Sequence, residues 1–250
     1  MTGPAAAPRP HGRRRAFLAG LALLLAMGLA ALGIWQVERR EWKHALIAAV
    51  EDRIHRPPVA APGPAQWPAI SAKKDAYRRV TASGRFEHDR EVLVQAVTDR
   101  GGGYWVMTPL RTADFTVLVN RGFVPAERRD RAARAQGNPA GSATVTGLLR
   151  ITEPGGGFLR SNDPRADRWF SRDVAAMSRA RALDGPVAPY FVDADAVPNA
   201  GGYPVGGLTV VSFRDNHLVY ALTWFALTAM ALWAAWRLLA DRRPRRDTGA

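Results

Sequence analysis

The 250-residue chain carries 35 Lys and Arg against 22 Asp and Glu, a net charge of +13, and has no cysteine. Without Cys there are neither disulfides nor thiolate metal ligands, so the core must hold by packing. The basic excess invites a nucleic-acid reading, but its placement argues against one. Arg9, Arg13, Arg14 and Arg15 crowd one end and Arg237, Arg242, Arg243, Arg245 and Arg246 the other, each group beside an uncharged run, where a membrane protein keeps its cytoplasmic cations.

In chain order, residues 1–15 form a basic tail, expected to be cytoplasmic. Residues 16–37 carry no charge and approach the ~20 residues a helix needs to cross ~30 Å of hydrocarbon. Within them Ala22, Ala26 and Ala30 recur at i+4, a small-residue stripe that suits close packing against a second helix. Arg14-Arg15-Ala16-Phe17-Leu18 also fits a twin-arginine export signal. The apolar run exceeds the ~7–15 residues of a signal core and no small-residue cleavage site precedes a polar stretch, so a retained anchor is the expectation. Helical spacing continues through Trp42, Leu46, Ala49, Val50 and Ile54 as an amphipathic extension that Pro57-Pro58 stops. A Pro- and Ala-rich loop then runs to Pro68.

Residues 38–216 are expected to form one extracytoplasmic domain. Strand-like runs lie at 77–86, 91–97, 104–111, 115–119, 144–151, 189–192 and 208–213, with Gly101-Gly102-Gly103 and Pro154-Gly155-Gly156-Gly157 as turns between them. Two helical patches are predicted: 126–136, mostly polar, and a segment N-capped by Asp173 that runs to about Leu183. Sequential strands with short turns predict an antiparallel sheet or small barrel with two helices, an α+β domain between two transmembrane helices. Asn120-Arg121-Gly122-Phe123-Val124-Pro125 reads as a strand end and turn, with Gly122 at a bend or a close backbone approach.

The second span covers 217–236, uncharged from Leu218, and 237–250 is a second basic tail. Its C-terminal flank holds the arginine cluster and its N-terminal flank only Arg214, which places both termini in the cytoplasm and the domain outside. At its start His217, Tyr220, Ala221 and Trp224 fall at i, i+3, i+4 and i+7, on one helical face at the outer interface. Two readings stay open: an interfacial aromatic belt with a wet histidine, or an axial ligand to a flat apolar cofactor such as haem. Trp35 and Gln36 end the first span at the same depth as His217, so pairing of the spans would make one site of the two sequence ends. The other histidines, His11 in the tail and His44, His55 and His88 among charges, read as solvated. No Gly-x-Ser-x-Gly elbow, His-Glu-x-x-His pair or phosphate loop is present, so no enzyme is expected.

Several stretches in order along the chain resemble the surfeit locus protein 1 family of cytochrome oxidase assembly factors. They are Leu32-Gly33-Ile34-Trp35-Gln36 with Arg39 and Trp42-Lys43, Gly84-Arg85-Phe86-Glu87-His88, Thr108-Pro109, Val119-Asn120-Arg121-Gly122-Phe123-Val124-Pro125, Asn162-Asp163-Pro164, Arg172-Asp173, Gly206-Gly207, and His217-Leu218 with Tyr220 and Thr223-Trp224-Phe225. The resemblance implies a non-enzymatic factor that assists haem-copper oxidase assembly, while abundant Ala and Arg read as bacterial and so place it in an inner membrane. It further implies haem A as transient cargo and oxidase subunit I and haem A synthase as partners. Under it His217 ligates iron, Tyr220 and Trp224 line the pocket, and Gln36 with Trp35 closes it. Arg121 would meet either a haem propionate or neighbouring carboxylates. The rival reading is a scaffold that docks nascent oxidase and holds no cofactor. The short Arg-rich start before the first span leaves little room for a long mitochondrial transit peptide.

Overall fold

The structure, a computed structural model, describes residues 11–157, 159–209 and 215–240. The described helices are α1 (His11–His55), α2 (Ala72–Asp75), α3 (Val174–Ala180) and α4 (His217–Ala240). The strands are β1 (Val59–Ala60), β2 (Arg79–Phe86), β3 (Val92–Thr98), β4 (Gly101–Arg111), β5 (Thr116–Pro125), β6 (Ser142–Ile151), β7 (Gly156–Gly157), β8 (Arg160–Ser161) and β9 (Val187–Ala194). The chain forms two compact units, a helical unit of residues up to 47 and from 212 onward, and a sheet unit of residues 48–211.

In the helical unit, α1 runs without a break from the uncharged segment into its charged continuation, and α4 supplies the second apolar helix. Both are long and apolar enough to cross a membrane. Up to residue 47 the buried positions of α1 are small, Ala19, Ala26 and Gly33, seven residues apart and so nearly in line on a helix of 3.6 residues per turn. On α4 the buried positions are Ala221, Ala231 and Ala235. A Cβ on Gly33 would lie 2.6 Å from the Phe225 ring, so glycine is what lets the two helices approach there. The expected stripe of Ala22, Ala26 and Ala30 is therefore centred on Ala26 and extends to Ala19 and Gly33. The opposite faces expose large apolar side chains, among them Phe17, Leu24, Met27 and Ile34 on α1 and Val219, Leu222, Met230 and Trp233 on α4.

The sheet unit is a closed small barrel. Its seven-stranded sheet runs β1-β2-β6-β9-β5-β4-β3, and a further pairing of β2 with β4, Arg85 opposite Arg111 and Phe86 opposite Leu110, closes the ring. One core lies inside the ring, with Val80, Phe86, Leu110, Val117, Val119, Leu149, Tyr190 and Val192. A second lies outside, where Val92, Val94, Met107, Leu118 and Phe191 pack with Trp169 and with Val174 and Met177 of α3. β5 feeds both cores, Val117 and Val119 inward and Leu118 outward, and is buried along almost its whole length. Burial on both faces is why Val117-Leu118-Val119 and Phe123-Val124 are apolar at successive positions instead of alternating. The Tyr190 hydroxyl, whose pKa burial raises, donates to the Pro62 carbonyl at 2.7 Å and ties the loop after β1 to the ring.

Five predicted strands fall within a few residues of β2, β3, β4, β6 and β9, and Asp173 caps α3 by accepting the Ala176 N–H at 3.0 Å. Several expectations need correction. The sheet is not purely antiparallel: β5 pairs in parallel with β9, and β1 with β2. A parallel pair needs a long crossover, and the segment holding β6 to β8 and α3 supplies it between β5 and β9. β5 continues through Asn120 to Pro125 where a strand end and turn were expected, and Gly101-Gly102-Gly103 opens β4 where a turn was expected. The 126–136 patch is not an α-helix but two 3-10 turns, Ala126–Arg128 and Ala132–Gly137. Here the Arg134 side chain turns inward to a bidentate ion pair with Glu91, and tertiary contact overrides helix propensity. The Pro- and Ala-rich loop contains β1 and a 3-10 turn at Pro64–Ala69. Of the strand expected at 208–213, Leu208 and Thr209 are not in a strand and the remainder lies outside the described residues, as do the tails before residue 11 and after 240.

Candidate functional site

α1 and α4 bring His217 and Gln36 into contact: His217 Nδ1 lies 2.7 Å from Gln36 Oε1. An amide oxygen only accepts, so Nδ1 carries a proton and donates, and in the neutral imidazole the lone pair then sits on Nε2. Among the described residues no hydrogen bond reaches Nε2. A histidine held through one nitrogen by an amide or carboxylate oxygen is the arrangement that fixes tautomer and ring orientation in metal-ligating imidazoles.

A polar cluster surrounds this pair on the next turns of α1. Gln36, Arg40 and His44 are four residues apart and share a face. Asp215 Oδ2 lies 2.6 Å from His44 Nε2 and 3.6 Å from Arg40 Nε, while Oδ1 accepts the backbone N–H of His217 at 3.0 Å. A carboxylate at the start of α4 also complements the helix dipole. The His217 N–H and then the His44 contact hold the Asp215 carboxyl below its ordinary pKa. His44 stays exposed, as expected of a surface histidine, but it is partnered by Asp215, and sequence reasoning passed over that contact along with Arg40 and Asp215. The spacing Ala26, Gly33, Gln36, Arg40, which continues the small-residue stripe into polar positions, was the available signal.

The other predicted residues divide. Trp224 lies two turns along α4 from His217 on the same face and is half-buried. Ala221 is closed into the seam between the helices, so its small size serves helix packing. Tyr220 and Trp35 point away from the seam, 54% and 53% exposed. The side of α4 that carries Tyr220 stays open beside His217, while the Ala221 side does not.

The barrel holds a second group of buried polar residues. Asp193 on β9 receives Asn120 Nδ2 at 2.7 Å, Arg150 at 2.8 Å, Arg172 at 3.3 Å and the Thr209 hydroxyl at 3.0 Å. Arg172 is also clamped by Glu153. With four donors on one carboxylate this network is satisfied and reads as structural. Arg121 differs. Its guanidinium meets Asn138 Oδ1 at 2.7 Å, the Gly137 carbonyl, Asn199 Oδ1 at 3.5 Å and His88 Nδ1 at 3.3 Å, and among the described residues no carboxylate pairs with it. Of the two alternatives left open for it, neighbouring carboxylates are not what it meets among the described residues. His88 is likewise partnered, its Nε2–H donating to the Pro139 carbonyl at 3.1 Å. Burial first, and then Arg121, lower its pKa, which keeps Nδ1 free to accept.

A closed small barrel flanked in sequence by two apolar helices, with an amide-held histidine at the head of the second helix, defines a class of helix-flanked barrel proteins without a recognised catalytic constellation among the described residues. The defining pattern of the SURF1 family matches residues 23–229. The chain is 34% identical over 245 residues to Surfeit locus protein 1 of Mus musculus, covering 91% of this chain and 78% of that one. It is 35% identical over 231 residues to the Homo sapiens protein of the same name, with 85% and 74% covered. A SURF1-like protein of Monosiga brevicollis is 36% identical over 230 residues, with 86% and 85% covered. The chain belongs to the SURF1 family.

Proposed function

We propose that this chain is a non-catalytic assembly factor for haem-copper cytochrome c oxidase that holds haem A as transient cargo for subunit I. The observation that carries the reading is the Gln36 to His217 bond, which orients the ring and directs Nε2 away from Gln36 as a candidate ligand. The donor set fits the group: one imidazole with a lone pair, an open apolar flank with Tyr220 and Trp35, and Trp224 on the face below. Haem would supply an iron that accepts this nitrogen and a wide apolar surface to be shielded from water. The chain would supply the ligand, fix its tautomer through Gln36, and offer apolar and aromatic surface for the macrocycle. Family membership supports oxidase assembly, with subunit I and haem A synthase as the partners.

The exposed apolar faces of α1 and α4 support insertion in lipid, since large contiguous apolar surface is unfavourable in water. With the arginine clusters outside both spans, the reading places the chain in a bacterial inner membrane, tails inward and barrel on the outer side. Reporter fusions after Ala250 and within the 57–68 loop are expected in opposite compartments; the same compartment for both overturns the two-span arrangement. For cargo, detergent-purified chain from a host that makes haem A is expected to be coloured, with a haem spectrum that scales with protein. Colourless protein from that host replaces the carrier with a scaffold that docks nascent oxidase and holds no cofactor.

A further inference from the structure

The Arg121 guanidinium is the anomaly of the barrel. The residue is 4% exposed, and every acceptor it has among the described residues is neutral. The other well-buried arginines are compensated: Arg134 by Glu91, Arg150 by Asp193 and Arg172 by Glu153 and Asp193. The carboxylate whose charge favours Arg121, Glu91, is already held bidentately by Arg134. Burying a cation without an anion is unfavourable by several kcal/mol even after relaxation, and the desolvation shows as a pKa lowered to about 10, which still leaves the group charged near neutrality.

Arg121 also borders a cavity of about 160 Å³. Its walls are apolar at Phe86, Val119, Val145 and Ala194, with Thr146 and Asn199 adding polar edges. Phe86 lies under the guanidinium, 5.1 Å from ring centroid to Cζ. Asp195 stands at the wall but is committed to Arg79 at 2.7 Å. Its negative charge disfavours a dianion such as phosphate, whereas one carboxylate can replace the long 3.5 Å Asn199 contact on Arg121 while an apolar body covers Phe86 and Val145. The volume is close to the ~150 Å³ of a cavity that takes benzene, so the body is small, on the order of six atoms by the same comparison.

We propose that this cavity is a binding site for a small carboxylate, the carboxyl group on Arg121 and a short branched apolar tail against Phe86, Val119 and Val145. A free acid and the C-terminal residue of a peptide share this chemistry. The inference does not rest on the haem reading, and its test uses haem-free protein. The full chain in detergent is titrated by calorimetry with 4-methylpentanoate, 4-methylpentan-1-ol, N-acetyl-glycyl-leucine and the amide of that dipeptide. The acid is expected to bind and the alcohol not to, because a carboxylate on a guanidinium makes charge-assisted hydrogen bonds that a hydroxyl does not. R121Q is expected to weaken the acid at least about tenfold, the scale of a lost charged hydrogen bond. A143L, which fills the cavity with Arg121 intact, is expected to do the same and keeps the test valid if R121Q folds poorly. Tighter binding of the free dipeptide than of the acid assigns the site to a chain terminus, and the reverse assigns it to a free acid. No binding of either carboxylate up to millimolar concentration, equal binding of the acid and the alcohol, or unchanged affinity in A143L overturns the proposal.

Discussion

Gly122→Asp is expected to remove most of the folded protein. Gly122 is buried inside β5 with φ at +127°, a backbone region that L side chains rarely adopt. A Cβ there would fall inside the Val205 carbonyl group. That carbonyl belongs to a reciprocal bridge in which the Phe123 N–H donates to Val205 O and the Val205 N–H donates to Phe123 O, both at 2.9 Å. Three effects stack: backbone strain of ~1–3 kcal/mol, loss of the bridge at ~0.5–1.5 kcal/mol for each bond, and a new buried carboxylate against the Val205 and Gly206 backbone. The sum exceeds ~4 kcal/mol, a large share of the ~5–15 kcal/mol that holds a domain. Steady-state abundance should fall severely, and any protein recovered should melt more than about 10 °C lower. Gly122→Ala keeps the clash without the charge and should fall between the two. Normal abundance with lost oxidase assembly would instead make this turn of β5 a docking surface.

The glycine was legible in the sequence as a close approach, but its setting was not. Asn120, Arg121 and Gly122 look like the polar end of a strand because polar residues usually leave the core. Here they stay inside because Asn120 has Asp193 and Arg121 has two amide oxygens and a carbonyl, partners that come from β9 and from the 137–138 and 199 positions. No local pattern encodes those partners. The parallel β5–β9 pair escaped for the same reason: strand register across a long crossover is a property of the closed ring, whereas the alternation that marked β2, β3 and β6 is local. The two apolar helices were the most legible features, since freedom from charge over 16–37 and 218–236 is a property of the segments alone.

Within the helical unit the pairing of Gln36 with His217 followed from matched depth on two spans. The rest of the cluster did not, because His44 and Asp215 are unremarkable until the small-residue seam sets which face of α1 meets α4. The seam also separates residues that the helical wheel had grouped. Ala221 and Tyr220 are adjacent in sequence, yet one is 2% and the other 54% exposed, and only the second remains available to a ligand.

His217→Ala is expected to abolish haem A binding while leaving the helical unit intact. The imidazole Nε2 is the one oriented nitrogen donor that the described residues offer at the head of α4, and alanine supplies no ligand. The helix survives because alanine is a good helix former and because the buried seam of Ala19, Ala26 and Gly33 against Ala221, Ala231 and Ala235 does not include position 217. Asp215 still receives the backbone N–H of residue 217, which no side-chain change removes. Gln36→Leu is the sharper test, since it keeps the ligand and removes only what orients it. Loss of such a supporting hydrogen bond typically weakens metal affinity by ~10–100-fold, so this variant should bind haem A but release it at concentrations where wild type stays loaded. Both are measured as haem per protein from optical spectra of material co-expressed with haem A synthesis and purified at equal yield. Equal loading of wild type and His217→Ala assigns the iron to another ligand. Full loading of Gln36→Leu, with His217→Ala empty, keeps the ligand but removes Gln36 from its orientation.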